Sequence, residues 1–233
     1  MAIVETHQTG DGATRITLNR PEKANALNEA MVEALLDAFA VAQAGGTRLL
    51  ILDAAGKHFC AGFDLGDLDD CSDGDLLLRF VRIETALQTL YHLPFPTLAL
   101  AKGRAMGAGA DLFAACSRRV AAPGTQFRMP GLAFGILLGT RRLAARIGAD
   151  AARRIQNETR TFDAAEAHAL GFASEIVDET DWPAVVLALT LLTVGAAGGV
   201  LFLFSGRSIK LEEAEETDLA EAVAADEVGE AGS

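Results

Sequence analysis

Two corners built from small residues are the parts of this sequence with the clearest chemical potential. Residues 59–65 read FCAGFDL and follow an apolar run, and residues 103–111 read GRAMGAGAD. Small residues let the backbone approach a ligand closely and leave its N–H groups free to donate. Two such amides directed at one oxygen would stabilise negative charge on it. The pair of corners therefore predicts an oxyanion hole.

Asp111 is the acidic side chain that belongs to this arrangement. If a helix begins near Ala108, its first amides have no partner within the helix, and its N-terminus carries partial positive charge. Asp111 is three residues further on and so lies on the same helical face. A carboxylate in that place could exchange a proton beside the oxyanion. The alternative interpretation is that Asp111 only complements the dipole of the first helical turn.

Other catalytic and metal-binding motifs fail on residue type or spacing. The acids at 67–75 do not fit a calcium loop, because Cys71 and Phe80 occupy ligand positions, and no metal site is predicted. Leu112 stands where a dinucleotide fingerprint needs glycine, and no Gly-x-Ser-x-Gly elbow exists. His58 is either a phosphate contact, a proton carrier or an ordinary turn histidine. The arginine pairs at 141–142 and 153–154 either face phosphates or pair with acids, and pairing is favoured.

The elements that must position these residues follow from hydropathy and turn signals. Alternating residues around a Gly-rich turn predict a hairpin over 2–8 and 13–19. Further strands are predicted over 48–53, 97–101, 118–121 and 174–177, and helices over 29–44, 75–90, 108–116, 137–147, 150–157 and 163–169. The first of these helices is expected to begin after an Asn28 N-cap. Strand–helix alternation with crossovers of this length predicts parallel pairing and an α/β fold.

Composition limits the partners and the compartment. The 233 residues carry a formal net charge of −12, which argues against nucleic-acid binding because phosphate neutralisation needs Lys and Arg. Three cysteines with no CxxC spacing make a disulfide framework improbable and fit a reducing compartment. The first five residues lack the basic and apolar blocks of a signal peptide. We therefore expect a cytoplasmic protein.

The C-terminal fifty residues differ in kind from the rest. Residues 183–206 are uncharged and would span roughly 36 Å as a helix, enough to cross a bilayer. Basic residues follow the segment and acids precede it, the reverse of the positive-inside preference. A helical pair packed on the body or on a neighbouring subunit is therefore favoured over a membrane span or a non-native terminus. The predicted organisation is a body over 1–180, an apolar helical segment over 181–210 and an acidic disordered tail over 211–233.

An ordered set of motifs resembles the crotonase superfamily, the enoyl-CoA hydratases and isomerases. The resemblance covers roughly residues 3–180. Its motifs are NRPEKANALN at 19–28, FCAGFDL at 59–65, GAGADL at 107–112, GTRRL at 139–143 and FDAAEA at 162–167. It implies a spiral of ββα units with a C-terminal helical region, assembled as a trimer or a dimer of trimers.

The resemblance also implies an acyl-CoA thioester as substrate, with no further cofactor. By motif position, the thioester oxygen would sit between the amides of Ala61 and Ala108. Lys23 and Lys57 could offer charge to the CoA phosphates or could be ordinary loop lysines. The remaining substrate and CoA contacts implied by the resemblance are Ala24, Ala26, Leu27, Gly62, Phe63, Asp64, Leu65, Gly107, Pro130 and Gly131.

The chain departs from the family pattern at one of two expected catalytic carboxylates. Hydratases of the family use two glutamates; the first falls at Asp111, and the second falls at Gly131, which cannot transfer a proton. Losing one proton donor or acceptor typically costs about 10²–10⁴ in rate. The expected reaction is hydration of a 2-enoyl-CoA with Asp111 as the only acid/base. The alternatives are an acyl-CoA isomerase or decarboxylase, or a weakly active or non-catalytic CoA-binding homologue that acts through assembly.

Overall fold

The computed structural model describes residues 2–66 and 71–195, and within them the chain is a mixed α/β structure with two sheets. The strands are β1 (Val4–Gln8), β2 (Ala13–Leu18), β3 (Leu49–Ala54), β4 (Thr97–Ala101), β5 (Arg104–Met106), β6 (Arg118–Ala121), β7 (Gln126–Arg128), β8 (Thr161–Asp163) and β9 (Glu175–Ile176). The helices are α1 (Glu29–Ala44), α2 (Asp73–Tyr91), α3 (Ala108–Ala115), α4 (Thr140–Ile147), α5 (Ala149–Glu158), α6 (Ala164–Ala169) and α7 (Trp182–Gly195).

The larger sheet has the strand order β1-β2-β3-β4-β6-β9. Its first pair is the predicted antiparallel hairpin, and every other neighbouring pair is parallel. The central strands β3 and β4 read as near-continuous apolar runs because both of their faces are covered. One face packs under α1, α2 and α3 in the main core, and the opposite face packs under α7. The α/β class expected from the sequence is confirmed.

The smaller sheet, β5-β7-β8, lies beside the second small-residue corner and was not predicted. Each of its strands has three residues, too few to display an alternating pattern. Its strand β5 leads directly into α3, while β7 runs parallel to β5 and β8 antiparallel to β7. This sheet therefore fixes the direction from which the chain enters α3.

Several helix ends follow from capping. The Asn28 side chain accepts a hydrogen bond from the Met31 amide at 2.9 Å, as the N-cap prediction requires. Helix α2 begins two residues earlier than predicted, because Ser72 and Asp75 form a reciprocal capping box. Helix α4 begins at Thr140 rather than at 137, and Gly139 is its N-cap residue; residues 131–134 form a separate 3₁₀ turn.

The described part of the C-terminal segment is α7, a helix of 14 residues. One of its faces packs on the larger sheet through Trp182, Val185 and Leu189. Within residues 2–66 and 71–195, no helix has the length and apolarity needed to cross a bilayer. The rest of the predicted apolar segment, 196–210, and the predicted acidic tail, 211–233, lie outside the described residues.

Candidate active site

The first small-residue corner runs between two other stretches of chain. On one side Cys60 pairs with Ala105 of β5, and on the other side Phe63 pairs with Leu27. The Leu27 amide donates to Gly62 O at 2.7 Å, and the Asp64 amide donates to Leu27 O at 3.1 Å. The corner is thus held from both sides by backbone hydrogen bonds.

The corner contains a free amide, but it is not the predicted one. The Ala61 amide donates to Ala24 O at 2.9 Å, so its hydrogen is already used. The competing acceptor comes from a turn in which Ala24 has φ 49° and Asn25 has φ 55°. The Phe63 amide has no acceptor among the described residues, and it points away from Leu27 because extended backbone alternates its donors. Ala61 as a free donor is therefore wrong, and Phe63 takes its place.

The second free amide is that of Ala108, the first residue of α3, as predicted. Gly107 precedes it as N-cap with φ 51° and ψ −122°, and its own amide donates to Arg128 O at 2.8 Å. The Ala108 amide has no acceptor in the part of the chain that the structure describes. It is therefore an unused donor at the positive end of a helix.

The two corners touch at Gly62. A Cβ atom on Gly62 would lie 3.3 Å from Ala108 N and only 2.4 Å from Met106 O, and the φ of Gly62 is 88°. Both the contact and the dihedral angle require glycine. Gly62 therefore brings the corner that carries the Phe63 amide against the corner that carries the Ala108 amide.

Asp111 lies in the first turn of α3 and is 6% exposed. Its carboxylate contacts Gly139, where an added Cβ would come within 1.6 Å of Asp111 Oδ1. That oxygen has no hydrogen-bond partner among the described residues. Burial raises the pKa of Asp111 to about 7; the charge of Arg142 opposes this rise, and that of Glu84 adds to it. Asp111 is thus a buried carboxyl group that can hold or release a proton near neutral pH.

An ion pair accompanies Asp111. Arg142 of α4 is 4% exposed, and its two terminal nitrogens donate to the two Glu84 carboxylate oxygens at 2.9 and 2.6 Å. Burial alone would raise the pKa of Glu84, but hydrogen bonds from Arg142 and Gln88 and the charge of Arg142 lower it. The favoured pairing of Arg142 with an acid is confirmed. Nothing in the sequence distinguishes Glu84 from an ordinary helical acid.

The position of the expected second carboxylate offers no side chain. A Cβ on Gly131 would lie 2.3 Å from Ile136 O, so the turn over 131–136 fills that space with backbone. The neighbouring Pro130 approaches Gly107, with Cδ 3.8 Å from the place of a Gly107 Cβ. Pro130 therefore contacts the second corner, whereas Gly131, which follows it, contributes no acid to the site.

The other residues of the implied CoA contacts lie around the first corner. Lys23 closes a 3₁₀ turn over Pro21–Lys23, and Ala26 and Leu27 follow it. Asp64 forms an ion pair with Arg20 and accepts the Gly66 amide at 2.9 Å, so its carboxylate is engaged. Leu65 is exposed.

Two residues that the sequence reasoning left without a role support the first corner from the sides. Asn25 is fully buried and donates to Ala55 O at 3.0 Å and to His58 O at 2.8 Å. Arg79 stacks on the Phe63 ring at 4.5 Å and donates to Asp64 O at 2.9 Å. Asn25 thus holds the chain that enters the first corner, and Arg79 holds the Phe63 ring and the backbone that follows it.

His58 and Cys60 are the remaining candidates for chemistry near the corners. Burial lowers the pKa of His58, with the charges of Arg104 and Lys57 acting in the same direction. Burial raises the pKa of the Cys60 thiol to about 12, and the thiol donates to Asn25 O at 3.1 Å. Cys60 is therefore a packing residue rather than a nucleophile. Residues 2–66 and 71–195 contain no cluster of three or more His, Cys, Asp or Glu side chains that could hold a metal ion.

Comparisons with known proteins establish the family of the chain. The family model described as enoyl-CoA hydratase/isomerase matches residues 8–192. The chain belongs to the enoyl-CoA hydratase/isomerase family. It is 33% identical over 202 residues to a probable enoyl-CoA hydratase of Mycobacterium leprae. The match covers 82% of this chain and 79% of that protein.

Solved structures of the family share the fold. A putative enoyl-CoA hydratase/isomerase from Bordetella parapertussis is 39% identical with a TM-score of 0.82, over 98% of this chain and 99% of that chain. An enoyl-CoA hydratase from Mycobacterium smegmatis is 29% identical with a TM-score of 0.78, over 83% of this chain and 77% of that chain. The expected crotonase-like fold is thereby confirmed.

Proposed function

We propose that this protein hydrates a 2-enoyl-CoA thioester, with Asp111 as its single side-chain acid/base. The amides of Phe63 and Ala108 would donate to the thioester oxygen. The observation that carries the proposal is the meeting of two unused amides at Gly62, with a buried carboxyl group one helical turn beyond the second amide. Donors fixed in advance around a developing oxyanion are the usual source of its stabilisation.

One carboxyl group can perform both proton transfers of a hydration. In its ionised form, Asp111 takes a proton from water while the water oxygen bonds to C3 of the enoyl group. The electrons of the C2–C3 double bond move to the thioester oxygen, and the resulting enolate is held by the two amides. Asp111 then returns the proton to C2, so one water molecule is added overall. A pKa of about 7 suits both roles, because the protonated and the ionised forms of Asp111 are both present at neutral pH.

Access to Asp111 requires movement of the chain beside it. The side chain is buried against Gly139, which ends the segment of residues 131–139. This segment carries the exposed side chains of Leu132, Phe134 and Leu137 and is tied back to itself by the bond from Ile136 N to Gly131 O at 2.9 Å. We propose that it shifts when the acyl group enters.

A screen of CoA thioesters by mass spectrometry tests the proposal. The wild-type protein should convert an enoyl thioester into its 3-hydroxy product. Asp111→Asn should still bind the thioester but turn it over about 10²–10⁴-fold more slowly. Unchanged hydration by Asp111→Asn would overturn the role of Asp111. Conversion of an oxo- or malonyl-type thioester instead would show that the site serves a different reaction.

The second candidate is a CoA-binding protein that works through assembly, and the absence of a side chain at Gly131 favours it. It predicts binding of acyl-CoA with no turnover of any enoyl, oxo or malonyl-type thioester. Under either function we propose a cytoplasmic homotrimer or dimer of trimers that needs no cofactor besides its thioester ligand. The CoA phosphates would be contacted by Lys23 and Lys57.

A further inference from the structure

Helix α3 packs between α2 and α4, and each of these helices places one charge near Asp111. Glu84 comes from α2 and Arg142 from α4. Three strands also pack on α3. Strand β4 has no charged residue, and Arg104 of β5 is exposed and acts on His58. Strand β7 contacts α3 through the Phe127 and Phe113 rings, and its Arg128 is exposed and donates to Thr159 O. Glu84 and Arg142 are thus the charged groups that face Asp111 from its neighbouring elements.

A buried carboxylate beside a buried arginine normally pairs with it, because each group loses its hydration. Here that pairing is absent. Arg142 uses both terminal nitrogens on Glu84, whose Oε1 also accepts from Gln88 Nε2 at 2.9 Å. Asp111 Oδ1 has no partner among the described residues. Arg142 Nε also has no partner in the described part of the chain, so the two bonds to Glu84 are the only hydrogen bonds that the guanidinium makes there. Those two bonds fix the direction in which the guanidinium points.

We propose that Glu84 and Arg142 are positioning residues of the site: Glu84 holds Arg142 out of a salt bridge with Asp111, so that the Asp111 carboxyl group stays free to exchange a proton with the acyl group. The inference rests on the proposed function for its catalytic meaning. The arrangement of charges that it describes can be tested without turnover.

The test uses the full-length protein and three variants of it. Each of these four proteins is prepared twice, once with Asp111 and once with the substitution Asp111→Asn. The variants are Glu84→Gln, which keeps the shape of the side chain, Arg142→Met, and Glu33→Gln as a control. Glu33 also pairs with an arginine, Arg82 of α2, but on the protein surface. Urea unfolding is measured from pH 4 to 9. In each background, the difference between the protein with Asp111 and the one with Asn isolates the titration of Asp111.

Opposite shifts are expected. The midpoint of the Asp111 titration should fall in Glu84→Gln, because an opposing negative charge is lost and Arg142 is released. It should rise in Arg142→Met, because the positive charge is gone. Each shift should be about half a pH unit or more, while Glu33→Gln should leave the midpoint unchanged. Damage to the fold alone would not move two variants in opposite directions.

Shifts in the same direction in both variants, or none in Glu84→Gln, would overturn the inference. If a single variant does not fold, the double variant Glu84→Gln/Arg142→Met replaces the ion pair with a neutral pair, which proteins often tolerate. Its midpoint should lie between those expected for the two single variants, and a midpoint outside that interval would overturn the inference.

If the shifts occur but no thioester is turned over, the proposed function fails and the charge arrangement stands. Where turnover exists, the Asp111 limb of the kcat/KM pH profile should shift as the unfolding midpoint does.

Discussion

At Asp111, burial in the first turn of α3 has a larger effect on proton affinity than either neighbouring charge. The neighbouring arginine and glutamate act in opposite directions, so their effects partly cancel. The result is a carboxyl group whose proton can be exchanged near neutral pH without a catalytic partner at Gly131. Under the proposed function, such a group would serve both proton transfers of the hydration.

The first prediction concerns the pH dependence of stability. The folded-state pKa of about 7 exceeds the ordinary value of 3.8, so the folded protein binds this proton more tightly. The stability from Asp111 is fully present below about pH 4 and is lost as the pH rises to about 7, at roughly 1.4 kcal/mol per pH unit. Urea unfolding of wild-type and Asp111→Asn proteins between pH 4 and 8 measures it as a difference. Parallel pH curves for the two proteins would contradict this description of Asp111.

The place of Asp111 in the first turn of α3 and the free amide of Ala108 were predictable from the sequence. The other free amide, that of Phe63, lies two residues after the predicted one. Backbone donors along an extended stretch alternate in direction, so residue types alone do not select one. The selection depends on Ala24 O, an acceptor 37 residues earlier in the chain, which takes the Ala61 hydrogen. Only the folded turn at Ala24 and Asn25 brings that acceptor into place.

At the scale of elements, the site is assembled by glycines that let one element touch another. Gly62 brings the first corner against the start of α3, and Gly139 brings the start of α4 against Asp111. Neither contact leaves room for a methyl group. The elements themselves were largely predictable, because capping residues and apolar runs mark their ends. Their contacts were not, because they depend on which backbones approach each other.

Gly62→Ala should separate the two donors of the oxyanion site. The new methyl group would meet Met106 O at 2.4 Å, and alanine disfavours the positive φ of this position. We expect turnover to fall on the order of 10²-fold, the usual cost of losing one such donor. Gly124→Ala is the control, because nothing lies within 4 Å of a Cβ there. Equal activity of the two variants would argue against the donors meeting at Gly62.

Gly139→Ala tests the contact between α4 and Asp111 through stability. Its methyl group would overlap Asp111 Oδ1, so we expect a loss of roughly 1–3 kcal/mol, as in other overpacked sites. The same substitution in an Asp111→Ala background should cost clearly less, because the clashing atom is gone. Urea unfolding of the four proteins completes the double-mutant cycle. An identical cost in both backgrounds would mean that the two residues are not in contact.

At the scale of the whole molecule, α7 completes the fold by covering the sheet face opposite to α1, α2 and α3. The composition of the segment permitted both a membrane span and a packed helix. What decides between them over residues 182–195 is the apolar sheet face made by Leu49, Ile51 and Leu98. Hydropathy along a single segment carries no information about such a partner surface.

Trp182→Ala should therefore destabilise the whole protein. Trp182 is 9% exposed, and its indole N–H donates to Val177 O at 3.1 Å. Truncation of a buried Trp typically costs about 3–5 kcal/mol. The matched control is Leu191→Ala on the same helix, where the side chain is 63% exposed and the expected change is within about 0.5 kcal/mol. Thermal or urea unfolding measures both changes. Equal changes in the stability of the two variants would contradict the packing of α7.

Whole-molecule organisation also limits what the sequence shows of the site. Glu84, Asp111 and Arg142 lie on three different helices, and only the packing of α2 and α4 around α3 places them together. The family motifs indicate the fold and the thioester chemistry, whereas this convergence becomes visible only in three dimensions. It determines the state of the single acid on which the proposed reaction depends.

Incorporation of solvent deuterium next to the thioester carbonyl tests the central claim most directly. With a crotonyl-CoA substrate in D₂O, the wild-type protein should form a 3-hydroxy product with one deuterium at C2. Asp111→Asn should bind the same thioester but incorporate deuterium about 10²–10⁴-fold more slowly. A wild-type protein that binds the thioester without incorporating deuterium, or an Asp111→Asn variant that incorporates it at the wild-type rate, would contradict the proposed chemistry.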